Sequence, residues 1–342
     1  MSTLLLFAIA AFLGLGIATL VGANAMRIGR ALRLLDHPDG GRKIHARATP
    51  LVGGIAVAAA AVVGSLLALA HYGDPQLAWL AAAVAAMFAI GVADDRVHLP
   101  PVIRLVLALL ALGVVVASAT DFQVLALRFA DADRMVLGGY VGLAFTLLCL
   151  VGLLNAVNMA DGKDGIVVGC GLVWTAVLTV HAAHGALLLL PVLLATGAAL
   201  LVLLVFNLRR RLFLGDGGSY ALSALFGLLA IYVYNDEGTA MRADDVALLF
   251  AIPVFDTIRL MAVRIAGGRS PFHADRDHFH HHLYARIGWP RGLVIYLGLV
   301  ALPNLAALLW PGTAFGWLVV SFIAYAVVMA LTRFVPAGRP AE

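Results

Sequence analysis

Charge is scarce in this chain. Only 12% of its 342 residues are Asp, Glu, Lys or Arg, where a soluble globular domain carries roughly 25%. Long polar stretches are scarce too. The longest are 27–49 and about 265–292, so these residues leave no room for a soluble domain between their apolar runs. Cysteine is nearly absent. Cys149 and Cys170 both sit near or within apolar runs, which excludes a disulfide framework and leaves buried free thiols as the expectation. There is no internal repeat. The first apolar run has no basic residues ahead of it, since Met1-Ser2-Thr3 is uncharged, and Arg27, Arg30 and Arg33 follow it. That order reads as an uncleaved helix with its N-terminus outside, not as a signal peptide.

Long hydrophobic runs make up the rest. Hydrophobic residues are 63% of the chain, and eleven apolar stretches fall near 3–26, 51–70, 77–93, 103–119, 137–154, 165–183, 186–206, 218–234, 245–264, 293–310 and 314–332. Most approach the 20 or so residues that a helix needs to cross a bilayer. The fold class expected is therefore all-α: a polytopic membrane protein of eleven transmembrane helices, forming a single domain over 1–342. Every Lys and Arg except Arg128, Arg134 and Arg242 falls in alternate gaps or at the adjoining helix ends. Positive-inside bias puts those gaps, and the C-terminus, in the cytoplasm. The net charge of +4 thus describes one membrane face suited to anionic lipid or an anionic substrate, and not a nucleic-acid site.

The same gaps, 27–49, 94–102, 155–165, 207–218 and 265–292, hold every chemistry-bearing motif. Asp94-Asp95-Arg96 is either a solvated loop neutralised by Arg96 or a carboxylate pair that needs a cation. Asn155-x-x-Asn158 puts two amides on one helix face, and Asp161-Gly-Lys163-Asp164-Gly follows. A turn alone explains the Asp-Gly pairs, but these oxygens are also hard ligands suited to Mg²⁺ and to a nucleotide. Arg209-Arg210-Arg211 reads as a topology signal. In Gly215-Asp216-Gly217-Gly218-Ser219 the glycines would let backbone approach a ligand at a helix N-terminus, with Asp216 holding a metal against phosphate. Arg42, Lys43, His45 and Gly53-Gly54 read as a second phosphate-facing loop.

The last large gap carries Arg276-Asp-His278-Phe-His280-His281-His282. If helical, His278, His281 and His282 share a face and His280 points away. Zinc, an anion clamp and a solvated loop all remain open, with no cysteine nearby to favour zinc. Asp256 and Arg259, inside the ninth run, read as an internal ion pair. Asp244 and Asp245, on the opposite face, read as solvated. A proton- or metal-coupled transporter is the alternative class. It calls for ionisable residues at mid-membrane depth and on both faces, whereas here they gather on one.

Taken in order, these motifs resemble the polyprenyl-phosphate N-acetylhexosamine-1-phosphate transferases, glycosyltransferase family 4. Carrying the resemblance are Arg42-Lys43-x-His45 with Pro50-x-x-Gly53-Gly54, Asp94-Asp95, Asn155-x-x-Asn158-x-x-Asp161-Gly-x-Asp164-Gly, Phe213-x-Gly-Asp216, and Ser270-Pro-Phe with His278-x-His280-His281. The histidine loop is most similar to the type that uses UDP-N-acetylglucosamine and undecaprenyl phosphate. Lys163, where the family shows an apolar residue, and the added His282 depart from the pattern. The resemblance implies an enzyme of the bacterial inner membrane, its active site facing the cytoplasm. Its partners would be a UDP-N-acetylhexosamine, polyprenyl phosphate and the bilayer, and it admits a homodimer. The cofactor implied is Mg²⁺, with Mn²⁺ as a substitute. Asp216 and Asn158 would hold the metal. Asp161, Asp164, Asn207 and Phe213 would line the uridine end, and Asn155 would bind substrate. Lys43, His45, Arg276, His278, His280 and His281 would hold diphosphate or sugar. Asp94 would be the base on the lipid phosphate, with Asp95 in support. The product would start O-antigen or another cell-envelope polysaccharide.

Overall fold

The computed structural model describes residues 2–36, 48–130, 134–270 and 277–333. Within them the chain is helical: α1 Thr3–Ala23, α2 Ala25–Leu32, α3 Gly53–Tyr72, α4 Gln76–Val97, α5 Pro101–Ser118, α6 Gly139–Ala160, α7 Ile166–Ala182, α8 Leu190–Leu208, α9 Gly215–Asn235, α10 Ala243–Leu249, α11 Ala251–Ala266, α12 Phe279–Ile287, α13 Arg291–Leu309 and α14 Ala314–Thr332. Two short antiparallel strand pairs complete it. The first, β1 Leu35–Asp36 with β2 Thr49–Pro50, joins the chain on either side of 37–47.

The protein is an all-α polytopic membrane protein. Among the described residues nine helices are long and apolar enough to cross a membrane, and α10 with α11 makes a tenth span if the bent pair counts as one. The expected count of eleven falls short at two places. Helix α7, an apolar helix of 17 residues, rises only about 25 Å at 1.5 Å per residue, less than the hydrocarbon core of about 30 Å. The run at 245–264 is broken by a 74° bend between α10 and α11. Breaking a helix inside an apolar bundle frees carbonyls that water cannot satisfy. Trp174 Nε1 donates to Leu249 O at 2.8 Å and Asn304 Nδ2 to Leu248 O at 3.3 Å, which supplies that need. Pro253 stands in the first turn of α11, where its missing N–H costs nothing.

Helix α9 is the centre of the bundle. It is 94% buried, against 22% for α5 and α14, and packs on α3, α4, α6 and α7. Its first turns are rich in Gly, Ser and Ala, so neighbouring backbones come close. A Cβ on Gly54 of α3 would lie 2.4 Å from Gly218 N, and one on Gly91 of α4 would lie 2.3 Å from Asp216 O. Gly54 therefore serves helix contact, not the phosphate-facing role the sequence suggested. The outer helices present apolar side chains instead; Val102, Leu110, Val294 and Leu331 are exposed. Cys170 is buried as expected, but Cys149 is exposed on α6.

Candidate active site

Several motifs expected in loops are helix ends. Helix α4 runs through Asp94 and Asp95 to Val97, α6 runs through Asn155 and Asn158 to Ala160, and α9 starts at Gly215. Asp94 is buried and fully engaged. Its Oδ1 accepts from Leu99 N at 2.8 Å, and its Oδ2 from Tyr220 OH at 2.8 Å and Arg104 Nη1 at 2.9 Å. Arg96, expected to neutralise the pair, instead donates to Leu32 O at 2.6 and 3.0 Å. The cation beside Asp94 is Arg104, which the sequence reading passed over. Its signal was there: a guanidinium inside the apolar run 103–119, a place where charge is costly.

Asp95 closes the start of α9. The backbone N–H groups of Asp216 and Gly217 donate to its two carboxylate oxygens at 3.0 Å each. The reading of this helix N-terminus as a free anion site is thereby corrected, because a carboxylate from α4 already holds those donors. Gly215 takes φ +74°, and a Cβ there would sit 2.8 Å from Asp95 Oδ2. The side chain of Asp216, by contrast, has no hydrogen bond or salt bridge among the described residues. Ser219 Oγ links Asp216 O to Asn158 Oδ1, at 3.2 Å each. Asp161, half-buried at the end of α6, completes the acidic group. Burial, then the charges of Asp95 and Asp164, pushes its carboxyl up to about 7.

The remaining uridine-end candidates divide. Asn207 is buried with both amide atoms used: Oδ1 accepts from Gly165 N at 2.6 Å and Nδ2 donates to Leu212 O at 3.2 Å. It ties the 161–165 turn to the chain entering α9, so its amide is a staple and not a free contact for a base. Asn155 Nδ2 donates back to Val151 O. Asp164 pairs with Arg210 Nε at 2.9 Å, and its carbonyl accepts from Trp289 Nε1 at 3.0 Å. Phe213 is half-buried, its backbone laced to Pro50 O and Gly53 N at 2.9 Å. Lys43, His45 and Arg276 lie outside the described residues.

The histidines sit otherwise than a single helix predicts. His278 is the N-cap of α12 with extended backbone, φ −72° and ψ 145°, so the face shared in an all-helical run is lost. The rings of His278 and His280 stack at 5.3 Å and those of His280 and His281 lie 4.3 Å apart. His280, which a fully helical segment would turn away, stands between the other two. It is buried against the acidic turn: a Cβ on Gly162 would fall 2.2 Å from its Nε2, and that nitrogen has no hydrogen-bond partner among the described residues. Burial first, then the neighbouring imidazoles, holds His280 well below the ordinary histidine value and hence neutral. Lys163 Nζ lies 3.8 Å from the Tyr284 ring centroid, a second link between this turn and α12. Among the described residues no three His, Cys, Asp or Glu side chains stand at metal-holding distance.

Of two further expectations, one holds and one is overturned. Asp256 and Arg259 form the internal pair at 2.9 Å. Asp244 and Asp245, read as solvated, are buried and half-buried respectively, each with a backbone partner. Asp244 accepts from Phe315 N, and Asp245 caps Arg242 N.

The site is thus a carboxylate–amide cluster at the ends of α4, α6 and α9, faced by a histidine helix, at one end of a helical membrane bundle. The profile of glycosyl transferase family 4 matches residues 77–234. The undecaprenyl-phosphate alpha-N-acetylglucosaminyl 1-phosphate transferase of Yersinia pestis is 32% identical, over 78% of this chain and 73% of its own. The enzyme of the same name from Escherichia coli K12 is 30% identical, over 83% of this chain and 78% of its own. The decaprenyl-phosphate N-acetylglucosaminephosphotransferase of Mycolicibacterium smegmatis is 29% identical, over 76% and 72%. The chain belongs to glycosyl transferase family 4.

Proposed function

We propose that the protein transfers N-acetylglucosamine-1-phosphate from UDP-N-acetylglucosamine to undecaprenyl phosphate, releasing UMP. An oxygen of the lipid phosphate bonds to the β-phosphorus of the nucleotide sugar, the bond from that phosphorus to the UMP oxygen breaks, and a polyprenyl-diphosphate sugar stays in the membrane. One phosphoanhydride replaces another, so the exchange is near thermoneutral. The observation that carries the reading is the meeting of His280 with the Asp161–Asp164 turn: a neutral imidazole, its Nε2 without a hydrogen-bond partner among the described residues, beside a carboxylate cluster. Such a place recognises a polar, anionic group bridged by a cation.

The residues fit Mg²⁺, or Mn²⁺ in its place. Asp94, Asp95 and Asp161 all lie near Asp216, with Arg104 the cation beside them. Asp216 and the Asn158 Oδ1 would hold the ion, and two protein oxygens are what Mg²⁺ ordinarily takes when substrate phosphates supply the rest. When bound, the ion neutralises charge on the diphosphate. His278, His280 and His281 bind the diphosphate–sugar end by donating hydrogen bonds. Asp94 holds Arg104, which is 30% exposed on the helix that also exposes Val102, Ile103 and Val106, a position suited to a lipid phosphate at the membrane surface. A phosphomonoester has a second pKa near ~6, so at pH 7 much of the acceptor is already dianionic. Asp94, with three donors on its carboxylate, positions Arg104 in place of abstracting a proton.

The partition of Lys and Arg supports an active site on the cytoplasmic side of a bacterial inner membrane, where UDP-sugars are found. The product suits the start of O-antigen or another cell-envelope polysaccharide. The test is purified protein with undecaprenyl phosphate and a panel of labelled UDP-sugars, with and without chelator. UDP-N-acetylglucosamine should give labelled lipid and chelator should stop it. Equal turnover of UDP-glucose would remove acetamido recognition from the account.

A further inference from the structure

His282 extends the run His278-Phe-His280-His281 by one imidazole, and the structure gives it different work from the others. His282 is buried, and its Nε2 meets Asp277 Oδ1 at 2.7 Å. Asp277 Oδ2 accepts from Arg259 Nη1 at 2.9 Å, and the hydrogen bond with His282 and the Arg259 charge bring its carboxyl down to about 2. Arg259 Nη2 reaches Asp256 Oδ1 at 2.9 Å and also the Asp277 carbonyl, while Arg259 Nε meets Tyr325 OH at 3.0 Å. Asp256 then takes the first N–H of the histidine helix: Phe279 N donates to its Oδ2 at 3.1 Å, and Tyr325 OH donates to its Oδ1 at 2.9 Å. One connected set of charges thus joins α11, the start and body of α12, and α14.

The arrangement is costly unless it orders something. Asp256 is 6% exposed, and a buried ion pair repays desolvation only when every lone pair and proton is matched. Here the planar guanidinium fork of Arg259 meets both the Asp256 and the Asp277 carboxylates at 2.9 Å, which the single ammonium of lysine does not reproduce. The groups being ordered are those of α12. Phe279 is fully buried with its ring 5.0 Å from Tyr325 and 5.7 Å from Tyr296, and it stands between His278 and His280. Fixing Phe279 from its N–H and its ring sets the stack of His278, His280 and His281 against Gly162.

We propose that Asp256, Arg259, Asp277 and His282 are positioning residues that lock the histidine helix α12 onto α11 and α14, so that His282 serves this lock while His278, His280 and His281 face the donor. The proposal rests on the reading that those three meet the nucleotide sugar. The lock itself is a statement about α12 and has its own test.

The experiment uses the full chain purified in lipid nanodiscs, with Arg259→Lys, His282→Ala and His282→Gln. Hydrogen–deuterium exchange, read without substrate, tests the lock. Segment 279–287 should exchange about tenfold faster in Arg259→Lys and His282→Ala while 139–160 keeps its rate, as a local opening requires. Transfer kinetics test the consequence. The KM for UDP-N-acetylglucosamine should rise about tenfold, because loosened geometry weakens donor contacts, while the KM for undecaprenyl phosphate holds. His282→Gln, whose amide still donates to Asp277, should restore both readouts to within about twofold. Unchanged exchange at 279–287 would overturn the proposal. So would His282→Gln behaving like His282→Ala in transfer with normal exchange, which would put the imidazole on substrate, or a loss confined to folded yield with both KM values unchanged. If the parent protein transferred no N-acetylglucosamine-1-phosphate at all, the proposed function would fail while the exchange result stood by itself.

Discussion

Asp95 and Asp216 divide one task between backbone and side chain. The N–H of Asp216 donates to Asp95 Oδ1 at 3.0 Å, so Asp95 holds the first turn of the central helix. The Asp216 carboxylate is thereby aimed from a fixed helix end with no structural partner of its own among the described residues. Two adjacent acids thus have separable consequences. Asp216→Asn should leave the melting temperature of the metal-free protein unchanged and lower transfer at least ~100-fold, the scale of losing a main electrostatic contact to the reacting phosphates. Asp95→Asn should lower stability by about 1 kcal/mol, the usual worth of a helix cap with its charge. Thermal unfolding beside a transfer assay separates them. Near-normal transfer by Asp216→Asn would take that residue out of the metal site.

Arg104 and the lipid acceptor form a second test. Arg104→Met should raise the KM for undecaprenyl phosphate by about tenfold or more, since a charge-assisted hydrogen bond is worth roughly 1.5–3 kcal/mol, and leave the KM for the nucleotide sugar alone. Asp94→Asn should move the same parameter in the same direction. A change confined to the donor KM would mean that Arg104 faces the other substrate.

Asn207 gives a prediction about stability alone. Its amide satisfies Gly165 N and Leu212 O across the turn. Asn207→Ala would strand both, at about 1–3 kcal/mol for each buried group. The expected outcome is a clear fall in melting temperature, read by intrinsic fluorescence. An unchanged melting temperature with lost UDP-sugar affinity would return Asn207 to the uridine end.

The pH dependence follows from Asp161. Its carboxyl is raised from 3.8 to about 7 by burial and by the charges of Asp95 and Asp164. The folded state therefore holds this proton more tightly than the unfolded chain does. The sign is that stability from this group is full below about pH 4 and is lost as pH rises toward 7. Metal-free protein should melt at progressively lower temperature across that window, and Asp161→Asn should flatten the slope. A slope identical in both proteins would contradict the assignment.

Much of the fold was legible because apolar length and Lys/Arg spacing are local properties of the chain. The broken span was not, because the bend at Phe250 is supported by Trp174 and Asn304, far away in sequence. The acidic motifs were legible as chemistry but not as jobs. Asp94 and Asp95 look alike in sequence, yet one is engaged by Arg104 and Tyr220 and the other by the start of α9, and those partners are fixed only by packing. The grouping of His278, His280 and His281 is legible, but their stacking is not: a fully helical segment would turn His280 away, and one extended residue at His278 brings the rings together. Arg104 was the missed residue that sequence alone offered.

The central claim is that the phosphorus next to the sugar moves with the sugar. Donor labelled with ³²P at the β-phosphate of UDP-N-acetylglucosamine measures this directly. After incubation with undecaprenyl phosphate, the account predicts the label in the organic-phase lipid in step with release of unlabelled UMP, and return of the label to nucleotide sugar when excess UMP is added. Label retained in aqueous UDP while N-acetylglucosamine enters the lipid would show transfer of the sugar alone and would contradict it.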